Sequence, residues 1–126
     1  TAGYLRRGDS VLVRRRPSDQ MLGGLWELPG GRIHDGEKPR AALGRNLKEW
    51  LGRRPRIGIQ LTEIAHGYSH FTITLSAFAA TMADDPPLGK NKDWRWAEPQ
   101  ELEELPFDRA HRRLLDQLFA IDAAVI

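Results

Sequence analysis

The sequence predicts one α/β (α+β) domain in which helices flank both faces of a mixed β-sheet. Three observations carry this. Several short runs alternate apolar and polar residues with a period of two, as half-buried strands do. Others repeat apolar residues at i, i+4, i+7 and i+8, which puts them on one side of a helix. The two kinds are interleaved without the strict strand–helix alternation of a wholly parallel sheet. At 126 residues the chain suits a single domain, residues 1–126, built around one core.

The elements follow in order. "SVLVRRR" (10–16) reads as a strand with Val11 and Val13 on one face. "GLWELPGG" (24–31) is a short strand closed by a Pro-Gly-Gly turn. Residues 39–51 form a helix: Pro39 suits its first turn, and Leu43, Leu47, Trp50 and Leu51 make an apolar stripe. Gly52 supplies the C-terminal stop. Residues 56–68 and 70–82 alternate around Ile57, Ile59 and Leu61, and around Phe71, Ile73 and Leu75; they read as a hairpin bending near Gly67 to Ser69. Residues 83–93 are a loop by composition. Residues 93–99 are a strand with Trp94 and Trp96 on the same face, and 99–105 a short helix. Asp108 caps a last helix running through Ile121, with Leu114, Leu115, Leu118 and Phe119 as its buried stripe.

Composition removes several function classes. With no cysteine the chain holds no disulfide, no thiolate zinc site and no Cys-ligated iron–sulfur cluster. No apolar run approaches the roughly 18 residues of a membrane span, and the N-terminus lacks a signal-peptide core, so no membrane partner is expected and the cytoplasm is the default location. Charge is uneven: residues 1–60 carry 13 Lys/Arg against 6 Asp/Glu, and residues 61–126 carry 6 against 11. A basic half is compatible with phosphate contacts, although from charge alone a solvated surface is the preferred reading.

Residues 30–52, "GGRIHDGEKPRAALGRNLKEWLG", resemble a Nudix box: Gly31 and Glu37 match, as do Arg45, Leu47, Glu49 and Gly52. The resemblance implies a Nudix-like α/β/α sandwich. Asn46 and Trp50 depart, each standing where the pattern has a glutamate. Positions 46, 49 and 50 share one side of the helix, where three carboxylates would cage Mg²⁺ against a pyrophosphate. Asn46 offers one neutral oxygen, and the Trp50 indole only donates. The expectation is a fold without a metal site and without pyrophosphatase chemistry, with Trp50 packed into the core.

A second resemblance covers nearly the whole chain. Residues 11–31, with Arg15, Arg16, Pro17 and "LGGLWELPGG", are similar to the start of the C-terminal domain of MutY-type adenine DNA glycosylases, with Leu28 in place of Phe. "AHGYSHFTITLSAF" (65–78) resembles the same group's His-x-Phe-Ser-His segment, with Tyr68 in place of Phe, and residues 95–115 resemble its tail. The resemblance implies a domain that reads 8-oxoguanine opposite adenine in double-stranded DNA. Base excision, and an iron–sulfur cluster, would belong to a separate N-terminal catalytic domain, its partner; this domain would carry no cofactor. The first residue is Thr1 rather than Met, as in a processed product or an excised fragment, and the resemblance implies the excised recognition half of a glycosylase.

Chemistry shows what such a reader needs. Relative to guanine, the lesion gains an acceptor at C8, and its N7 turns from acceptor to donor. The Ser69 hydroxyl can meet either change, and a fixed backbone carbonyl in the Tyr68–His70 turn would sharpen the choice. Tyr68 could stack on a nucleotide, His70 hold a phosphate, and Gly67 let the backbone come close. Arg14, Arg15 and Arg16 on the basic strand are candidate DNA-backbone contacts. Two other readings stay open: a standalone Nudix hydrolase of nucleoside diphosphate-linked substrates with an atypical Mg²⁺ site, and a non-catalytic Nudix binding module.

Overall fold

The second residue of the chain already begins a strand, β1 (Ala2–Arg7), which turns at Gly8 (φ 61°) into β2 (Ser10–Arg15). The computed structural model describes residues 1–20, 22–82 and 93–125, with side chains as far as Asp122. The remaining elements are β3 (Trp26–Glu27), α1 (Pro39–Leu51), β4 (Arg56–Gly67), β5 (Thr72–Thr81), β6 (Trp94–Ala97), α2 (Pro99–Glu104) and α3 (Arg109–Val125). The loop expected over 83–93 lies, as far as residue 92, outside the described residues.

The sheet has six strands in the order β3-β2-β1-β5-β4, with β6 pairing β2. β1 runs parallel to β5, pairing Ala2 with Ala77 and Leu5 with Ala80, while the other pairs are antiparallel. The expected mixed sheet is therefore present, and both of its faces are covered. Val11 and Val13 pack with Leu114, Leu115 and Leu118 of α3, and Leu102 of α2. Leu12, between those valines, packs instead with Leu43, Leu47 and Leu51 of α1 and with Phe78. Period-two alternation along one strand thus feeds two cores, which makes an α/β/α sandwich.

Local signals explain the helix ends. Pro39 begins α1, and Gly52 ends it in the left-handed conformation (φ 74°), its N–H bonding the Lys48 carbonyl. Pro99 begins α2, where Glu98 and Glu101 form a reciprocal capping box. Asp108 accepts the His111 N–H at 3.0 Å and so caps α3, as expected, although the helix runs on to Val125.

The structure corrects three expectations. β1 was missed because Ala2 to Leu5 are all buried, so no alternation marks them. The hairpin bend lies at Tyr68–Phe71, one or two residues later than expected, closed by Tyr68 N–H to the Phe71 carbonyl at 2.7 Å. Trp50 is not in the core but 44% exposed. The buried stripe of α1 is Leu43, Leu47 and Leu51, at i, i+4 and i+8, and Trp50 sits beside it at the rim.

Leu47 is fully buried in the α1-side core. Leu47→Ala is expected to destabilise the domain by about 2–5 kcal/mol in a chemical denaturation series, with its secondary structure retained.

Candidate functional site

The box residues are built around α1 and the loop before it. Gly31 is needed because a Cβ there would meet the Asn46 side chain at 2.9 Å. Asn46 is buried, and its Nδ2 donates to Thr1 Oγ1 at 3.0 Å and to the Arg32 carbonyl at 3.4 Å. It ties the loop to the helix instead of offering an oxygen to a metal. Glu37 is held by Arg45 through two bonds, 2.9 Å and 3.0 Å, and accepts the His34 N–H at 3.0 Å. The Arg45 hydrogen bonds and that backbone N–H pull its carboxyl down to about 2. Arg45 also reaches the Arg32 carbonyl at 3.0 Å and Glu49 at 3.4 Å. The two carboxylates of the box therefore converge on a guanidinium. Among the described residues no three His, Cys, Asp or Glu side chains are grouped to hold a metal. This donor set does not fit Mg²⁺, which asks for several free oxygens in octahedral array.

Trp50 covers a second guanidinium, that of Arg14, which lies 3.5 Å from its ring centre. Arg14 is buried on β2; its Nε donates to Glu27 Oε1 at 2.7 Å and its Nη2 to the Gly30 carbonyl at 3.1 Å. Glu27, also buried, accepts Arg16 Nη1 on its other oxygen at 2.7 Å. Burial lowers the Arg14 pKa from its ordinary value, against the pull of Glu27. From sequence Glu27 had no separate role, and Arg14 was expected to join the DNA-backbone contacts; its burial against Glu27 overturns that expectation. The available signal was the charge in "LWEL": a carboxylate inside an apolar strand needs a partner.

The turn forms a separate place. Tyr68 is half-buried against the α3-side core, whereas the box helix packs on the opposite face. Its hydroxyl donates to Asp108 Oδ1 at 3.0 Å and accepts the Ala110 N–H at 3.1 Å. Asp108 takes the His111 Nδ1 proton on its other oxygen at 2.9 Å. Burial pushes the Asp108 carboxyl up, but His111 and the Tyr68 hydroxyl outweigh it and hold it near 2. Tyr68 also meets Phe71 at 4.9 Å and the edge of His66 at 4.8 Å between ring centres. Arg113 donates to the Ala65 carbonyl at 3.0 Å and to His66 Nδ1 at 2.9 Å; since arginine only donates, Nδ1 is the acceptor.

Ser69 and His70 stand exposed at the tip of this anchored turn, and neither side chain bonds a described residue. Phe71, 39% exposed beside them, was not singled out from sequence. Tyr68 serves as the anchor of the turn and is committed to α3. A Cβ on Gly67 would meet only Thr72 Oγ1, at 3.9 Å, so the expected close backbone approach has no counterpart within the domain. Arg15 and Arg16 are not brought together: Arg15 pairs with Asp93 at 2.8 Å, while Arg16 faces Glu27.

Comparisons agree with this architecture. The sequence pattern of the NUDIX domain family matches residues 1–117. An 8-oxo-dGTP diphosphatase of Proteus vulgaris is 38% identical over 73 residues, 58% of this chain and 65% of that protein. The adenine DNA glycosylase of Mus musculus is 32% identical over 91 residues, 71% of this chain but only 18% of the glycosylase. The crystal structure of the MutT protein from Methanosarcina mazei Go1 superimposes with a TM-score of 0.79 at 18% identity, covering 98% of this chain and 91% of that one, a likeness of fold. Among the described residues no helix is long and apolar enough to cross a membrane.

The Asp108 network sets an acid limit. A carboxyl whose folded pKa lies near 2, below the unfolded value near 4, adds stability that is present above pH 4 and lost as pH falls towards 2. Thermal melting from pH 5 to pH 2 is expected to show that fall, and Asp108→Asn to flatten it while lowering the melting temperature at pH 5.

Proposed function

The chain belongs to the NUDIX domain family, and from that premise we propose that it is a non-hydrolytic reader of 8-oxoguanine in double-stranded DNA. The observation that carries the proposal is a contrast. In the box, Glu37 and Glu49 meet Arg45, and Asn46 is tied to the loop. At the turn, Ser69 and His70 are presented to solvent on a base held by Tyr68, Asp108 and α3. A rigid support with free hydrogen-bonding groups at its tip suits recognition, because less ordering entropy is lost on binding.

The reading assigns roles. The Ser69 hydroxyl contacts the N7–O8 edge of the lesion, and His70 contacts a neighbouring phosphate. Phe71, exposed beside them, offers a stacking face. Exposed Arg15 adds a backbone contact by exchanging Asp93 for phosphate. On this reading the domain serves an adenine glycosylase whose catalytic domain removes the base opposite the lesion.

The second reading is a Nudix hydrolase of modified nucleotides such as 8-oxo-dGTP. The comparisons favour it over the DNA reading: the diphosphatase relative has the higher identity, and the match covers far more of its length than of the glycosylase. The pairing of the box carboxylates opposes it. Both readings share the modified base as ligand.

One pair of assays decides. Binding to duplexes carrying 8-oxoguanine:adenine or guanine:adenine is expected to favour the lesion, with Ser69→Ala cutting that preference roughly tenfold. Equal binding to the two duplexes would remove the DNA reading. Mg²⁺-dependent cleavage of 8-oxo-dGTP, abolished by Glu49→Gln, would establish the hydrolase instead.

A further inference from the structure

Arg14 carries the one buried side-chain nitrogen that lacks a hydrogen-bond partner among the described residues, Nη1. Its neighbours on the same guanidinium are committed, Nε to Glu27 and Nη2 to the Gly30 carbonyl. A charged N–H group shielded from water and left without an acceptor is costly, and native structures rarely keep one without a use. The cover is informative. The Trp50 ring lies 3.5 Å from the guanidinium, yet Trp50 is 44% exposed and its indole N–H bonds no described residue. Trp94 stands beside it, 6.3 Å between ring centres. The indole stands outside the buried core and meets the guanidinium in a cation–π contact.

Charge and position point the same way. Glu27 gives one oxygen to Arg14 and the other to Arg16, so it has no oxygen left for Arg14 Nη1. Trp50 occupies the box position at which the family pattern carries a glutamate. The site that would hold a divalent cation thus presents a protein cation under an exposed indole. We propose that Arg14 and Trp50 form a metal-independent oxyanion site: the indole moves off the guanidinium, and Nη1 with its two N–H groups takes an oxygen of a phosphoryl or diphosphoryl group. Guanidinium matches such oxygens in charge and geometry, and needs no Mg²⁺ to do so.

The probes are inorganic pyrophosphate and an undamaged DNA duplex, titrated separately in EDTA and followed by calorimetry and tryptophan fluorescence. Saturable binding with a change in emission is expected, since the indole loses its cation. Trp50→Phe is expected to bind while losing that change. Trp50→Ala is expected to bind about tenfold tighter, because no cation–π contact has to be broken. Both variants alter an exposed side chain and should fold, whereas Arg14 variants would leave Glu27 buried with one partner fewer. A response to pyrophosphate identifies the diphosphate of a free nucleotide as ligand, and a response to the duplex a backbone phosphate; either supports the site. Absence of binding in EDTA, or affinity and emission unmoved by both Trp50 variants, would overturn it. Lesion preference, read through Ser69→Ala, is measured independently, so the two proposals can fail separately.

Discussion

A buried carboxylate between two arginines organises the middle of this domain. Glu27 faces Arg14 across the β2–β3 pair and accepts one arginine on each oxygen at 2.7 Å. Taking such a charge out of water is unfavourable unless it is fully paired, so β3, though only two residues long, is held to β2 by more than its backbone bonds. Arg14 then reaches on to the Gly30 carbonyl, fixing the start of the box loop, and lies under Trp50 at the end of α1. Sheet, loop and helix are coupled through this one ion cluster.

The layered fold separates two kinds of chemistry. The α1 face carries the box, whose polar side chains are paired: Asn46 donates to the loop, and Glu37 and the exposed Glu49 accept from Arg45. The α3 face carries the hairpin turn, whose tip is turned outward. The same short-range physics acts on both. Carboxylates and arginines pair when they can, and what remains unpaired at a surface is available to a ligand. The box is thus scaffold with a guanidinium at its rim, and the turn leaves Ser69 and His70 exposed, the residues to which the proposed reading assigns ligand contact.

The turn owes its rigidity to an exchange of hydrogen bonds with the start of α3. A helix begins with backbone N–H groups that lack partners. Asp108 accepts that of His111, and the Tyr68 hydroxyl accepts that of Ala110 while donating to Asp108. A residue far away in sequence thus completes the cap, and in return the helix fixes the turn. Phe71 and His66 pack on the same ring and close the arrangement.

Much of this was legible in the chain itself. Pro39 and Gly52 mark the ends of α1, a valine-rich run marks β2, alternation marks β4 and β5, and the box residues are recognisable by their resemblance to a Nudix box, because all of these rest on residues close in sequence. β1 was not legible, since a strand buried on both faces shows no period. Trp50 was misassigned for a related reason: on a helical wheel the rim of an apolar stripe looks like its centre, and only Arg14, brought over from β2, shows that the indole lies outside the core. Likewise Tyr68 could be expected to stack on a ligand until Asp108 and Ala110 claimed its hydroxyl. The sequence by itself determined the elements other than β1 and the loss of box carboxylates. The tertiary structure decided which polar groups are paired and which stay open, because pairing depends on partners that local sequence does not contain.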